Sequence, residues 1–154
     1  MSVENVEKLK KIRADFREAL SEQNDEIGNR LFDQARENLE NIIQTKDVDI
    51  LPELIDLFTL EDLEYTGVCE SLENDIFRCF EWGQIFKILK KKMEKLMEFN
   101  SLRAMNFASS CNIEDIKELI QEIPTSKVKG FLIELKDSCR EDLSEDIKIL
   151  LKDM

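Results

Sequence analysis

Carboxylates and thiols are the side chains of this 154-residue chain best placed for reaction chemistry: it holds 34 Asp and Glu, four Cys and no His. Without an imidazole, Ser-His and Cys-His dyads, H-E-x-x-H zinc sites and carboxylate-histidine di-iron sites all lose a required group. Glu61-Asp62-x-Glu64 offers oxygen ligands. An EF-hand, however, alternates its ligands around a turn glycine and ends on a glutamate, and that arrangement is missing. Paired carboxylates at acid–base spacing arise by chance in a chain this acidic. Neither G-x-x-x-x-G-K-[ST] nor G-x-G-x-x-G occurs, so no recognisable loop cradles a phosphate. The expectation is a protein with no catalysis, cofactor or metal, and a carboxylate-metal enzyme is the third-ranked reading. Cys69, Cys79, Cys111 and Cys139 form no C-x-x-C pair. Each sits in a helix-like pattern, which favours buried free thiols over disulfides.

The elements carrying these groups read as helices. Four Gly and two Pro leave little material for hairpin turns, while Leu, Glu and Lys favour helix. Val6, Leu9, Ile12, Phe16 and Ala19-Leu20 form one apolar stripe. Ile27, Leu31, Ala35, Leu39 and Ile42 form a second, after an Asn24-Asp25 start signal. A short helix over about 50–58 is assigned Asp49 as its cap and Pro52 in its first turn. After Gly67 comes a helix with Cys69, Leu72, Ile76 and Cys79-Phe80 on one side. The pattern restarts at Glu81 with Trp82, Ile85-Phe86, Leu89, Met93 and Leu96-Met97, and Trp82 is assigned to the core. A short apolar helix follows over 99–110. Asn112 opens a helix that Pro124 stops, Ser126 is assigned as the next cap, and a last helix lies near 142–152.

Together these give a single all-α domain over 1–154 with eight or nine helices. Stacked antiparallel pairs, as in HEAT or armadillo arrays, suit so many short helices better than a four-helix bundle. The length allows roughly 68–70% of the unfolded surface to be buried. The first twenty residues are charged and amphipathic, with no apolar signal-peptide core. No run reaches the ~18 apolar residues of a membrane span. The expected location is cytoplasmic, without membrane contact.

Charge is distributed unevenly. Residues 47–81 carry eleven acids against one base, Arg78, and so supply −10 of the formal net charge of −12. Like charges on a folded surface repel, so a dense patch has either a partner or a solubility role. The one basic cluster, Lys87, Lys90, Lys91, Lys92 and Lys95, reads as a solvated face balancing the adjacent acidic helix. A nucleic-acid role for it would work against a pI of 4.6.

With 67–81 taken as one helix, Glu70, Glu73, Phe77 and Glu81 fall within about 80° of one another. Three carboxylates around one ring would suit a basic protein partner, the ring supplying contact area and the charges steering. For Phe77 alone, the reading favoured over this one is the edge of a wide core stripe. Tyr65, beside Glu61, Asp62 and Glu64, reads either as surface contact or as a packed loop residue. The expected partner-binding residues are therefore Glu61, Asp62, Glu64, Tyr65, Glu70, Glu73, Phe77 and Glu81. The acids Asp137, Glu141, Asp142, Glu145 and Asp146 are next in line.

Residues 50–58 (Ile50-Leu51-Pro52-Glu53-Leu54-Ile55-Asp56-Leu57-Phe58), the later Leu72-Glu73, Met93-Glu94-Lys95-Leu96 and Leu102-Arg103-Ala104-Met105-Asn106 resemble the all-helical immunity proteins of contact-dependent and other polymorphic bacterial toxin systems. The resemblance covers about 50–107. Phe99 and Asn100 stand where that family carries a tryptophan before its Arg-x-x-Asn element. The resemblance implies stoichiometric binding of one cognate toxin domain without catalysis, with Arg103 and Asn106 serving the fold. A basic nuclease, which grips phosphate backbones, is the toxin class an acidic surface suits. The alternative is a helical-repeat adaptor or regulatory module unrelated to toxins.

Overall fold

The computed structural model describes residues 2–21 and 26–154. Among them lie nine α-helices and no strand: α1 (Ser2–Ser21), α2 (Glu26–Ile43), α3 (Leu51–Leu57), α4 (Val68–Cys79), α5 (Trp82–Phe99), α6 (Ser101–Ser109), α7 (Ile113–Ile120), α8 (Thr125–Ser138) and α9 (Glu141–Lys152). Two 3₁₀ turns, Val48–Ile50 and Leu63–Thr66, precede α3 and α4. The helical periodicity is thus realised as an all-α fold. Its helices pack in pairs within two compact units, Met1–Ile88 and Leu89–Met154.

In the first unit, α1 packs along α2, and α2 also meets α4. Leu9, Ile12, Phe16 and Ala19 are all buried, as the first apolar stripe requires. The second stripe is rotated from expectation. Ile27 is 67% exposed, whereas Gly28, Ala35, Leu39, Ile42 and Ile43 are buried. At 100° per residue Ile27 lies about 105° from the centre of the Ala35–Ile43 face, while Gly28 falls on it. A run spaced strictly by four drifts off any fixed face, and Ile27 is where the drift ends. The Asn24-Asp25 start signal lies outside the described residues.

Asp49 does not cap α3, which has Ile50 in the cap position and no side-chain cap; the 3₁₀ turn before it is capped by Asp47. Its Oδ1 accepts the Asp49 N–H at 3.0 Å, while Oδ2 accepts from Asn5 Nδ2 at 2.9 Å. The same carboxylate so closes the 3₁₀ turn and ties it to the start of α1. Pro52 sits in the first turn of α3, where no intrahelical N–H is needed.

In the second unit, α6 meets α8, and both α7 and α8 meet α9. Met93, Leu96, Phe107, Ile116, Val128, Leu132, Leu135, Leu143 and Ile147 are buried. Asn112 Oδ1 accepts the Asp115 N–H at 2.8 Å, so the expected cap opens α7. Ser126 does not cap α8: the helix begins at Thr125, with Pro124 in the flanking position and no side-chain cap. Arg103 is buried at 5% exposure, and its N–H donates to Asn100 Oδ1 at 3.2 Å.

Arg140, between α8 and α9, ties that connection to the α6–α7 connection of the same unit. Its Nη1 donates to the Ser109 carbonyl at 2.6 Å and Nη2 to the Cys111 carbonyl at 2.7 Å. None of the four cysteines forms a disulfide, and Cys69 and Cys111 are buried. Burial, with the nearby Asp115 charge, pushes the Cys111 thiol from 9.0 up to about 12, against a smaller opposing effect of Arg140. Its folded pKa is raised, and it ionises by losing a proton. Between pH 9.0 and about 12 the unfolded chain therefore releases a proton that the folded chain keeps. Stability should decline as pH rises through that window and be unaffected by this group below it. Urea titrations of wild type and Cys111→Ala across the window should show the smaller alkaline loss in the variant; equal losses would contradict the assignment.

Candidate protein-binding face

The turn bearing Tyr65 is held by two left-handed residues, Asp62 at φ 69° and Gly67 at φ 83°. Glycine takes that region without a Cβ penalty, and aspartate tolerates it better than most side chains. Between them, Leu63 is buried and fixes the turn. In a 3₁₀ turn, residues two apart point about 120° away from each other, so anchoring Leu63 drives Tyr65 outward. Thr66 Oγ1 donates to the Leu63 carbonyl at 2.6 Å and accepts the Val68 N–H at 3.3 Å, joining the turn to α4. Tyr65 is 89% exposed. Glu61 and Asp62 are exposed beside it, and Glu64 is half-buried.

Next to Tyr65 lies an open depression of about 580 Å³ whose walls include Leu20, Asn29, Phe32, Asp62 and Thr66. Its apolar and polar lining could accept an aliphatic or aromatic side chain from a partner. The sequence pattern pointed to Tyr65 and the acids but not to this depression, whose walls come from the far end of α1 and the start of α2. Only packing brings them together.

On α4, Cys69, Leu72 and Ile76 face inward. Glu70 is exposed, Glu73 is half-buried and Phe77 is 38% exposed. Glu81 does not continue this face. The helix stops at Cys79, Phe80 is extended at φ −125° and ψ 148°, and its side chain is buried. Glu81 instead opens α5: its carbonyl accepts from Gln84 and Ile85, and its N–H donates to Gln84 Oε1 at 3.2 Å. Burying Phe80 at the corner outweighs continuing the helix, so the assumed 67–81 helix ends two residues early.

That corner produces an arrangement the spacing did not indicate. Phe77 stacks on Trp82 with ring centroids 5.9 Å apart and planes 13° from parallel. Trp82 also meets Phe86 at 5.8 Å. Phe86 is buried, Trp82 half-buried and Phe77 exposed, so the rings lead from core to surface. Trp82 is a corner residue rather than a deep core one.

In the second unit, Lys90 pairs with Glu118 at 3.3 Å, which gives one member of the lysine cluster an intramolecular partner. A separate cleft of about 400 Å³ is lined by Glu94, Met97, Glu98, Lys127, Phe131 and Glu134, among others. Lys127 contacts Glu94 at 2.8 Å, and that carboxylate holds the lysine above its ordinary pKa. The cleft pairs one face of α5 with one face of α8. Each face is legible at helical spacing, but their juxtaposition is not. Among the described residues, no group of three or more Cys, Asp or Glu is placed to hold a metal, and no helix is long and apolar enough to cross a membrane.

No family model matches the chain, and neither the curated proteins nor the solved structures yield a match.

Proposed function

We propose that this chain is an immunity protein that binds one cognate bacterial toxin domain, a basic nuclease, and neutralises it through the acidic face of the first unit. The observation that carries the reading is Tyr65: an aromatic side chain 89% exposed on a turn pinned by Asp62 and Gly67 and rimmed by Glu61 and Asp62. Aromatic side chains on rigid backbone are the usual energetic anchors of protein interfaces. A rim of one charge raises the capture rate of an oppositely charged partner. The charge concentrated in 47–81 and the resemblance over about 50–107 support the same reading.

Inhibition here is occupation, not chemistry. Glu61, Asp62 and Glu70 attract the cationic cleft or exosite with which a nuclease holds phosphates, Tyr65 and Phe77 supply apolar contact, and the depression beside Tyr65 receives a partner side chain. Packing in stacked pairs equally suits an adaptor, which would use the same face for a partner from the cell's own proteome.

The deciding experiment looks for a toxin gene beside the chain's own, whose absence would count against the immunity role, and co-expresses the two. Growth should be restored, and a one-to-one complex should elute on gel filtration. Absence of both protection and complex would reject the immunity role, and an endogenous partner recovered instead would establish the adaptor.

A further inference from the structure

We propose that Phe77, backed by Trp82, is a receiving platform for an arginine side chain of the basic partner. The inference rests on the reading of this face as a docking surface for a cationic protein, and it names the group that docks and where. Three observations converge on it. Phe77 is 38% exposed although large and apolar, and it lies nearly parallel to Trp82 at 5.9 Å. The stack straddles the corner between α4 and α5, where Phe80 is buried and extended, so the backbone beneath it is fixed. Acids outnumber bases around it, the bases being Arg78 on α4 and Lys87 on α5. Glu70 and Glu73 precede Phe77 on α4, Glu81 adjoins Trp82, and the nearby base Arg78 is engaged by Asp75 at 2.6 Å.

Chemistry selects the occupant. An aromatic face carries negative potential and attracts a cation within about 6 Å of its centre. Guanidinium is planar and more weakly hydrated than ammonium, so it can lie flat on a ring while its N–H groups reach carboxylates at the edge. Glu81, exposed and next to Trp82, is the carboxylate at the edge of the stack. Glu70, exposed two helical turns before Phe77, lies within about the 10 Å over which charge acts at moderate salt. An acidic or purely apolar partner would meet repulsion or leave these carboxylates desolvated.

Trp82 is the chain's one tryptophan, so its fluorescence reports on this corner alone. The experiment titrates the intact protein with a hexa-arginine peptide and reads Trp82 emission. The comparison is Phe77→Leu, which keeps apolar volume but removes the ring, with circular dichroism confirming its fold. No toxin is involved, so the result stands apart from the protection assay. The expected result is a saturable emission change whose midpoint weakens about two- to thirtyfold in Phe77→Leu. Glu81→Gln should weaken it further at low salt. Silent Trp82 emission on peptide binding, or an unchanged midpoint in folded Phe77→Leu, would overturn the proposal.

Discussion

Glu61→Lys combined with Glu70→Lys should slow capture of the toxin domain about ten- to a thousandfold at low salt, and far less at high salt. Each reversal changes the charge by two, taking the formal net charge from −12 to −8. Both side chains are exposed, one on either side of the Tyr65 turn, so the field facing an approaching cationic cleft changes on both sides of that ring. The sites are chosen for what they leave intact. Asp62 is spared because its φ of 69° would be strained with lysine. Glu73 is spared because it is half-buried. Glu70 lies in the first turn of α4, where a carboxylate complements the positive end of the helix dipole; its reversal should cost about 0.3–1 kcal/mol of stability, leaving the fold in place. Stopped-flow association across a salt series provides the measurement. Equal rates for wild type and variant at low salt would move the interface away from this face.

The distinction matters because steering and anchoring act on different rate constants. Rim charges change the association rate and its salt dependence, whereas buried contacts change dissociation. If Tyr65 and Phe77 anchor the complex, their truncation should leave association nearly unchanged and speed dissociation. The acidic face therefore makes two separable demands on a partner: a cationic surface to be drawn in, and a shape able to cover two exposed rings.

The helices were legible because burial imposes a 3.6-residue period, and Leu9, Ile12, Phe16 and Ala19 obey it without competition. Phase was less legible than presence. Ile27 is more hydrophobic than Gly28, yet Gly28 lies on the buried side; side-chain type misleads where backbone geometry decides. Caps failed where two acceptors stood close together: Asp47 and Asp49 both suit the role, and the bond from Asn5, 42 residues away, marks the one used. At the candidate face, the exposure of Glu61, Asp62, Glu70 and Tyr65 followed the pattern of charges. The Phe77–Trp82 stack did not, because it depends on the chain turning at Phe80. Neither did the depression beside Tyr65, which needs α1, α2 and a distant turn at once.

The same dependence makes Phe16 the side chain on which both fold and face turn. Phe16→Ala is expected to destabilise the first unit by about 3–5 kcal/mol, a large share of the roughly 5–15 kcal/mol that holds a typical domain together. Phe16 is fully buried and meets Phe32 edge to face, with centroids 5.5 Å apart and planes at 67°. Truncation removes its transfer free energy, leaves a cavity between α1 and α2, and forfeits an aromatic contact worth about 0.5–1.5 kcal/mol. Phe16→Leu, which fills most of that volume, should cost far less. Urea unfolding gives the two values, and similar losses would show that the site collapses around the smaller side chain. The consequence reaches the surface through Phe32, which also lines the depression beside Tyr65 together with Leu20 of α1. With its buried partner gone, Phe32 can turn into the cavity and open that wall. Hydrogen exchange should then rise first along α1 and the adjoining face of α2, while the Arg140-tied connections of the second unit keep their protection.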